Sequence, residues 1–220
     1  MRLAALAGIA VFATGGLGGV HRGGQDSLDI SADLGEFRNS CVHVVCSGCK
    51  GFLDIPRTLE FLETQGVGVA TFADGRDGAV DFPAFWTRES GSISPWTVKD
   101  AKSAAMAIVA QKQLGLKSGL LFANPIPLSL SIPREEMQAA IEEAIEDATR
   151  ARATGSKNTP FVLQRLHQIT GGRTLKANRA LVESNVIQGA ELAKELSKSN
   201  MGSSPDTESR RRISQLRSFG

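Results

Sequence analysis

The sequence predicts an α/β protein in which a parallel or mixed β-sheet forms the middle of three layers and helices cover both of its faces. Short apolar runs alternate along the chain with stretches of helical periodicity, and the runs are apolar throughout. An unbroken apolar run is typical of a strand that is buried on both faces of a parallel sheet. With 220 residues, the chain is long enough to bury its own core without disulfides or structural metals.

The predicted strands and helices follow one another in order. Four runs are predicted strands buried on both faces: 8–14, 42–47, 67–72 and 119–124. Four segments are predicted helices: 56–65, 98–114, 133–153 and 175–196. The first helix starts at Pro56, which a first helical turn tolerates, and it stops before Gly66. Because parallel sheets bind ligands beyond the carboxyl ends of their strands, the loops after the strands are where a site is expected.

The chain is predicted to form one domain over residues 1–198, followed by a disordered tail or linker over residues 199–220. The tail is rich in Ser and holds four Arg without an apolar period, and the net charge of +2 lies within it. The neutral body argues against a globular nucleic-acid binder. The opening residues imitate a secretory signal but lead directly into a Gly-rich loop, so we interpret them as part of the fold. No run reaches the ~18 apolar residues of a membrane helix.

Three cysteines, Cys41, Cys46 and Cys49, lie close together in the sequence. An odd number of cysteines favours reduced thiols, and therefore a reducing location such as the cytoplasm or an organelle matrix. The Cys-x-x-Cys spacing of the last two leaves a dithiol redox site open as an alternative. Zinc is disfavoured because the sequence lacks a second pair of ligands at the required spacing.

A Gly-rich loop follows the first predicted strand, with six glycines in residues 14–24. Its backbone amides could cradle a phosphate or another anion, since glycine leaves them uncovered. The alternative is a loop that is merely flexible. A dinucleotide fingerprint is excluded, because the G-x-G-x-x-G spacing that starts at Gly16 meets His21 where the third glycine is required.

Two further segments carry candidate chemistry. Asp29 and Asp33 flank Ser31 directly after the Gly-rich loop, a set of oxygen ligands that suits Mg²⁺ or Mn²⁺. The same residues could instead cap a helix. Lys50 follows the second predicted strand; a lysine held there with a neutral amine would be a nucleophile toward carbonyl carbons, and the alternative is an ordinary surface lysine.

Six segments together resemble one known family. They lie at residues 12–23, 29–34, 44–67, 82–88, 123–127 and 159–182 and read FATGGLGGVHRG, DISADL, VVCSGCKGFLDIPRTLEFLETQGV, FPAFWTR, ANPIP and TPFVLQRLHQITGGRTLKANRALV. These segments are similar to segments of the pseudouridine-5'-phosphate glycosidases, in the same order and with few gaps between them. That family is related to indigoidine synthase A. The resemblance extends from residue 1 to about residue 195.

The resemblance implies reversible cleavage of pseudouridine 5'-phosphate to uracil and ribose 5-phosphate through a lysine Schiff base, with manganese as cofactor. It places Lys50 on the family's nucleophile and Asp29 on its metal ligand. The remaining positions match substrate-contacting or polar pocket residues of the family: Ser31, Ala32, Asp33, His21 and Asn178. It also implies a homotrimer and a sugar kinase as a fused or linked partner, for which the tail could serve as linker, with no nucleic acid and no membrane as partners.

Family members carry a further N-terminal segment that holds a Glu acting as proton donor, and the sequence has no such segment. The resemblance therefore implies a sheet that lacks its N-terminal part. Two readings stay open: a glycosidase that acts through Lys50, or a non-catalytic remnant that binds sugar phosphates without the general acid. Loss of a general acid slows such a reaction about a hundred- to ten-thousand-fold. A truncated sheet also predicts an exposed apolar edge and a tendency to aggregate.

Overall fold

A computed structural model describes residues 1–153 and 158–202 as a five-stranded sheet with helices around it. The strands are β1 (Val11–Ala13), β2 (His43–Cys46), β3 (Val69–Phe72), β4 (Thr97–Val98) and β5 (Leu121–Ala123). Their order across the sheet is β1-β2-β5-β3-β4, and each neighbouring pair is parallel. The carboxyl ends of the strands therefore share one edge, as the prediction of a parallel sheet requires.

Helices connect the strands and complete the chain. They are α1 (Arg2–Leu6), α2 (Gly24–Ser27), α3 (Ala32–Asn39), α4 (Ile55–Thr64), α5 (Ala101–Gln113), α6 (Arg134–Arg150), α7 (Asn158–Ile169) and α8 (Arg173–Gly202), with a 3-10 turn at Leu128–Leu130. None of the helices in residues 1–153 and 158–202 has the length and apolar composition needed to cross a bilayer.

Side chains of the internal strands alternate between two hydrophobic cores, one on each face of the sheet. Val44 and Cys46 of β2 point into the core that includes residues of α3, α4, α6 and α7. Val45 points into the other core, which includes residues of α5 and α8. Because successive strand side chains face opposite sides, strands covered by helices on both faces must be apolar at every position. The three-layer α/β prediction is confirmed.

The strand β1 differs from its prediction, because it is not buried on both faces. Phe12 is 39% exposed, and Val11 and Ala13 are only half-buried. Within the described part of the chain β1 pairs with β2 alone, so it forms an edge of the sheet. An apolar run predicts a strand but does not reveal the strand's place in the sheet.

Several helices and one strand also differ from the predicted bounds. The predicted helix 98–114 begins three residues late, because Val98 belongs to β4, a strand too short to leave a pattern. The helices α2 and α7 were not predicted, and α3 was anticipated only through the capping alternative at residues 29–33. Residues 199–202 of the predicted tail continue α8, and residues 203–220 lie outside the described residues.

Apolar side chains are exposed along α1 and β1. Leu3, Leu6 and Ile9 are each at least half exposed, and they precede β1, whose Phe12 is also exposed. An exposed apolar edge strand is a template for pairing with another chain.

We therefore expect the protein to self-associate as its concentration rises. The variant Phe12→Lys is expected to reduce this association, which light scattering after size-exclusion chromatography measures. The control is Leu114→Lys, which changes an exposed apolar residue at the C-cap of α5. If the two variants reduce association equally, the edge strand is not its cause.

Candidate active site

The Gly-rich loop lies between the two other candidate segments at the carboxyl edge of the sheet. Leu17 pairs with Cys49 on one side, and Val20 pairs with both Ile30 and Asp54. The amide of His21 donates to the carbonyl of Asp29 at 3.0 Å, and the amide of Ser31 donates to the carbonyl of Gly19 at 3.0 Å. The loop thus joins the segment that holds Lys50 to the segment that holds the two aspartates.

Close packing explains most of the glycines of this loop. A Cβ at Gly16 would overlap the ring of Phe85, and one at Gly18 would overlap the hydroxyl of Ser31. The flexible-loop alternative does not account for Gly16 and Gly18, whereas a Cβ at Gly23 would meet nothing within 4 Å. The amide of Gly18 donates to Asp33 Oδ2 at 3.0 Å, and the amide of Val20 donates to Thr58 Oγ1 at 2.9 Å. These amides are already bonded within the protein, so they are not available to cradle an anion.

The acidic segment 29–33 serves the local structure as well as the candidate site. Ser31 is the N-cap of α3 and accepts a hydrogen bond from the amide of Asp33 at 3.3 Å, so the capping alternative is correct for this residue. Ala32, the first residue of α3, is exposed. The side chain of Asp29 is 60% exposed, and its Oδ2 lies 3.9 Å from His21 Nδ1. An imidazole and a carboxylate therefore face each other at the mouth of the site.

Lys50 lies in the loop after β2, and its side chain is half-buried. Its backbone amide donates to the carbonyl of Leu17 in the Gly-rich loop at 3.4 Å. Gly48, two residues earlier, has φ +75°, and a Cβ there would overlap the carbonyl of Pro83. Only glycine fits this turn, which directs the chain from β2 to Lys50.

Asn178 reaches the same edge of the sheet from α8. Its Oδ1 accepts a hydrogen bond from Trp86 Nε1 at 2.6 Å. The indole of Trp86 packs edge-on against the ring of Phe85 at 4.9 Å between centroids, and Phe85 covers Gly16. Asn178 is therefore held by an aromatic pair that borders the Gly-rich loop.

A buried polar network at the strand ends was not predicted from the sequence. Asn185 of α8 is fully buried; its Nδ2 donates to the carbonyl of Thr14 at 2.8 Å and to Ser47 Oγ at 3.0 Å, and its Oδ1 accepts from Asn124 Nδ2 at 3.0 Å. This one side chain ties together the carboxyl ends of β1, β2 and β5. Ser47 and Asn124 lie at the ends of predicted strands, and this position could have indicated that they belong to a site. Asn185 lies in the middle of a helix, where nothing in the sequence distinguishes it.

A cavity of about 270 Å³ opens next to Gly51, the residue after Lys50. Two arginines, Arg22 and Arg134, line it together with Thr87 and Ser90. Guanidinium and hydroxyl groups are the side chains that commonly bind phosphate. Asp54 and Glu89 also line the cavity, so its charge is mixed.

The predicted manganese site has few protein ligands. Within residues 1–153 and 158–202, no group of three His, Cys, Asp or Glu side chains could hold a metal ion. Asp29 provides the oxygen ligand that Mn²⁺ prefers, with His21 beside it. A hard cation bound through one or two side chains retains water or takes substrate oxygens as its other ligands, and the exposed carboxylate of Asp29 fits such a site.

The structure does not support the dithiol alternative. Cys46 and Cys49 are both completely buried. Burial raises the pKa of Cys46 to about 12, and burial raises the pKa of Cys49 as well. The thiolate is the reactive form of cysteine, and neither residue forms it near neutral pH.

Thiol titration tests this interpretation. We expect 5,5'-dithiobis(2-nitrobenzoate) to modify one thiol in the folded protein, that of the exposed Cys41, and all three after denaturation. The variant Cys41→Ser is the control and removes the fast reaction. Rapid modification of two or more thiols in the folded protein would contradict the burial of the pair.

Comparison with known proteins identifies the family. The family model described as "Indigoidine synthase A like protein" matches residues 1–195. The chain belongs to the indigoidine synthase A-like family. Among its curated relatives, the pseudouridine-5'-phosphate glycosidase of Caldanaerobacter subterraneus subsp. tengcongensis is 50% identical over 198 residues, which are 90% of this chain and 63% of the relative. The protein of the same name from Deinococcus radiodurans is 49% identical over 195 residues, covering 89% of this chain and 61% of the relative.

Two solved structures have the same fold. The prealnumycin C-glycosynthase AlnA in complex with ribulose 5-phosphate superimposes with a TM-score of 0.83 at 33% identity, over 92% of this chain and 65% of that one. An indigoidine synthase A-like protein from Thermotoga maritima gives a TM-score of 0.75 at 35% identity, over 87% of this chain and 61% of that one. The chain thus spans less than two thirds of the length of these relatives.

Proposed function

We propose that this chain carries the lysine-bearing part of a pseudouridine-5'-phosphate glycosidase, which cleaves its substrate reversibly to uracil and ribose 5-phosphate. The observation that carries the proposal is the Gly-rich loop, which hydrogen-bonds to Lys50 on one side and to the segment of Asp29 on the other. The names of the curated relatives support it. The bound sugar phosphate of the AlnA structure supports a sugar-phosphate ligand.

A carbon–carbon bond links the sugar to the base in pseudouridine, so no glycosidic oxygen is available for protonation between two carboxylates. In the proposed reaction the neutral amine of Lys50 attacks the anomeric carbon, and the bond from this carbon to the ring oxygen breaks as that oxygen takes the proton that the new ammonium releases. An acid then protonates C5 of the base, a role that the resemblance gives to the Glu of the family's N-terminal segment. The electrons of the carbon–carbon bond return to the base as its double bond, while the nitrogen lone pair forms the iminium. Water hydrolyses the iminium and frees Lys50 and ribose 5-phosphate.

Side chains around the loop would orient the substrate. Ser31, Ala32 and Asp33 lie at the start of α3, with His21 across from Asp29. Asn178 retains an amide nitrogen that has no protein partner in the described residues, and it is free to bind the base. We assign the 5'-phosphate to the cavity beside Gly51, where Arg22 and Arg134 can neutralise it.

We also propose Asp29 as the protein ligand of a manganese ion. A bound divalent cation would disfavour protonation of a nearby amine and would order substrate oxygens. The remaining partners are proposed on the same resemblance: a homotrimer, and a sugar kinase linked through residues 199–220. The free thiols of all three cysteines favour a reducing location, in the cytoplasm or an organelle matrix.

Two assays on the same protein test the function. Calorimetric titration with ribose 5-phosphate measures binding, and chromatography of reactions with pseudouridine 5'-phosphate and Mn²⁺ measures uracil release. Saturable binding with uracil release supports the glycosidase. Binding without release would replace it by a sugar-phosphate-binding function, and absence of both in folded protein would overturn the proposal. Lys102→Ala, at a lysine on the first turn of α5, is the control and is expected to behave as the unchanged protein.

A further inference from the structure

A second cavity, of about 260 Å³, lies at the edge of the sheet opposite the candidate active site. It is bordered by residues that precede or begin strands, among them Ala10 before β1 and His43 at the start of β2. Its apolar wall comes largely from α5 and α8 and includes Ile108, Val109, Leu116 and Leu196. None of the residues assigned to the glycosidase reaction lines this cavity.

His43 supplies a hydrogen-bond donor in the wall of this cavity. The residue is 6% exposed, and its Nδ1 accepts a hydrogen bond from the amide of Leu120 at 3.2 Å. The proton of the neutral ring therefore resides on Nε2, which has no partner in the described part of the chain. Burial lowers the pKa of His43 to about 4, so the ring is neutral at pH 7. This nitrogen is accessible from the cavity rather than sealed in the core, so a ligand inside the cavity that supplies an acceptor can bond to it.

The charge around the cavity favours an anion. Lys112, in the last turn of α5, lines it, and no Asp or Glu among the described residues does. Ser118 and Gln111 hydrogen-bond to each other at 3.2 Å, so part of the polar lining is already satisfied within the protein. The remaining combination is one neutral donor, one cation and an apolar wall.

We propose that this cavity binds a small carboxylate with an apolar body, about the size of a benzoate, whose carboxylate accepts from His43 Nε2 and faces Lys112. The apolar body packs against α5 and α8. Apolar cavities with a few convergent polar groups are the usual form of small-molecule sites. Cys41 also lines the cavity and is exposed, so its thiol reports on occupancy.

Fluorine NMR with 4-fluorobenzoate tests the proposal. We expect saturable binding to the unchanged protein and weaker binding of the neutral 4-fluorobenzamide. Lys112→Gln is expected to raise the dissociation constant about threefold. Lys102→Gln, at the opposite end of the same helix, controls for the loss of any positive charge on α5 and is expected to leave the constant unchanged.

A second variant and a chemical readout complete the test. His43→Phe keeps a ring in the wall, and in protein that still melts cooperatively it should weaken 4-fluorobenzoate binding about tenfold. Saturating 4-fluorobenzoate should also slow alkylation of Cys41 by iodoacetamide. Absence of saturable binding, equal losses in the two lysine variants, or alkylation of Cys41 that the ligand does not slow would each overturn the proposal.

Discussion

Replacing Gly48 by Ala is expected to lower the free energy of unfolding by about 3 kcal/mol or more. The residue has φ +75°, which is unfavourable for alanine, and its new Cβ would overlap the carbonyl of Pro83. Because that neighbour is backbone rather than a flexible side chain, the loop after β2 must move. Urea denaturation followed by circular dichroism measures the effect as a lower midpoint at an unchanged slope.

Gly66→Ala separates the two contributions in this experiment. Gly66 follows the C-cap of α4, Gln65, and has φ +69°; a Cβ there would meet nothing within 4 Å. Its variant therefore carries the backbone strain without the overlap, and we expect a loss of only about 1 kcal/mol. Equal losses at the two positions would show that close packing of the turn before Lys50 contributes nothing to stability.

Lys50→Arg is expected to lower the rate of uracil release by at least about a thousandfold. Arginine has a side chain of similar length, but it stays protonated, so it cannot supply the neutral amine that attacks the sugar or form the iminium. The comparison is made by chromatography of uracil at saturating substrate. Lys102→Arg is the matched control on α5 and should retain full activity; a Lys50→Arg protein within tenfold of the unchanged protein would exclude the lysine as nucleophile.

The sequence predicts the layers of the fold better than its edges. The strands β2, β3 and β5 are internal, so both faces of each are covered and the apolar runs describe them correctly. The same pattern in β1 predicts burial that an edge position does not provide. The short strand β4 has two residues and leaves no period to detect.

The candidate site shows the same division between local and long-range information. The cap at Ser31 and the turn at Gly48 follow from residue type within a few positions, so sequence can suggest them. Asn185 joins strand ends from a helix far along the chain, and only the tertiary structure shows it. The burial of Cys46 and Cys49, which excludes a reactive dithiol, likewise depends on how the sheet is covered.

Borohydride trapping tests the central claim, that Lys50 is the amine which bonds to the sugar. The folded protein is incubated with ribose 5-phosphate, reduced, digested and mapped by mass spectrometry. We predict a reduced pentose phosphate adduct on Lys50, absent from Lys50→Arg and retained in Lys102→Arg. Folded protein without an adduct, or with an equal adduct on another lysine, would contradict the account.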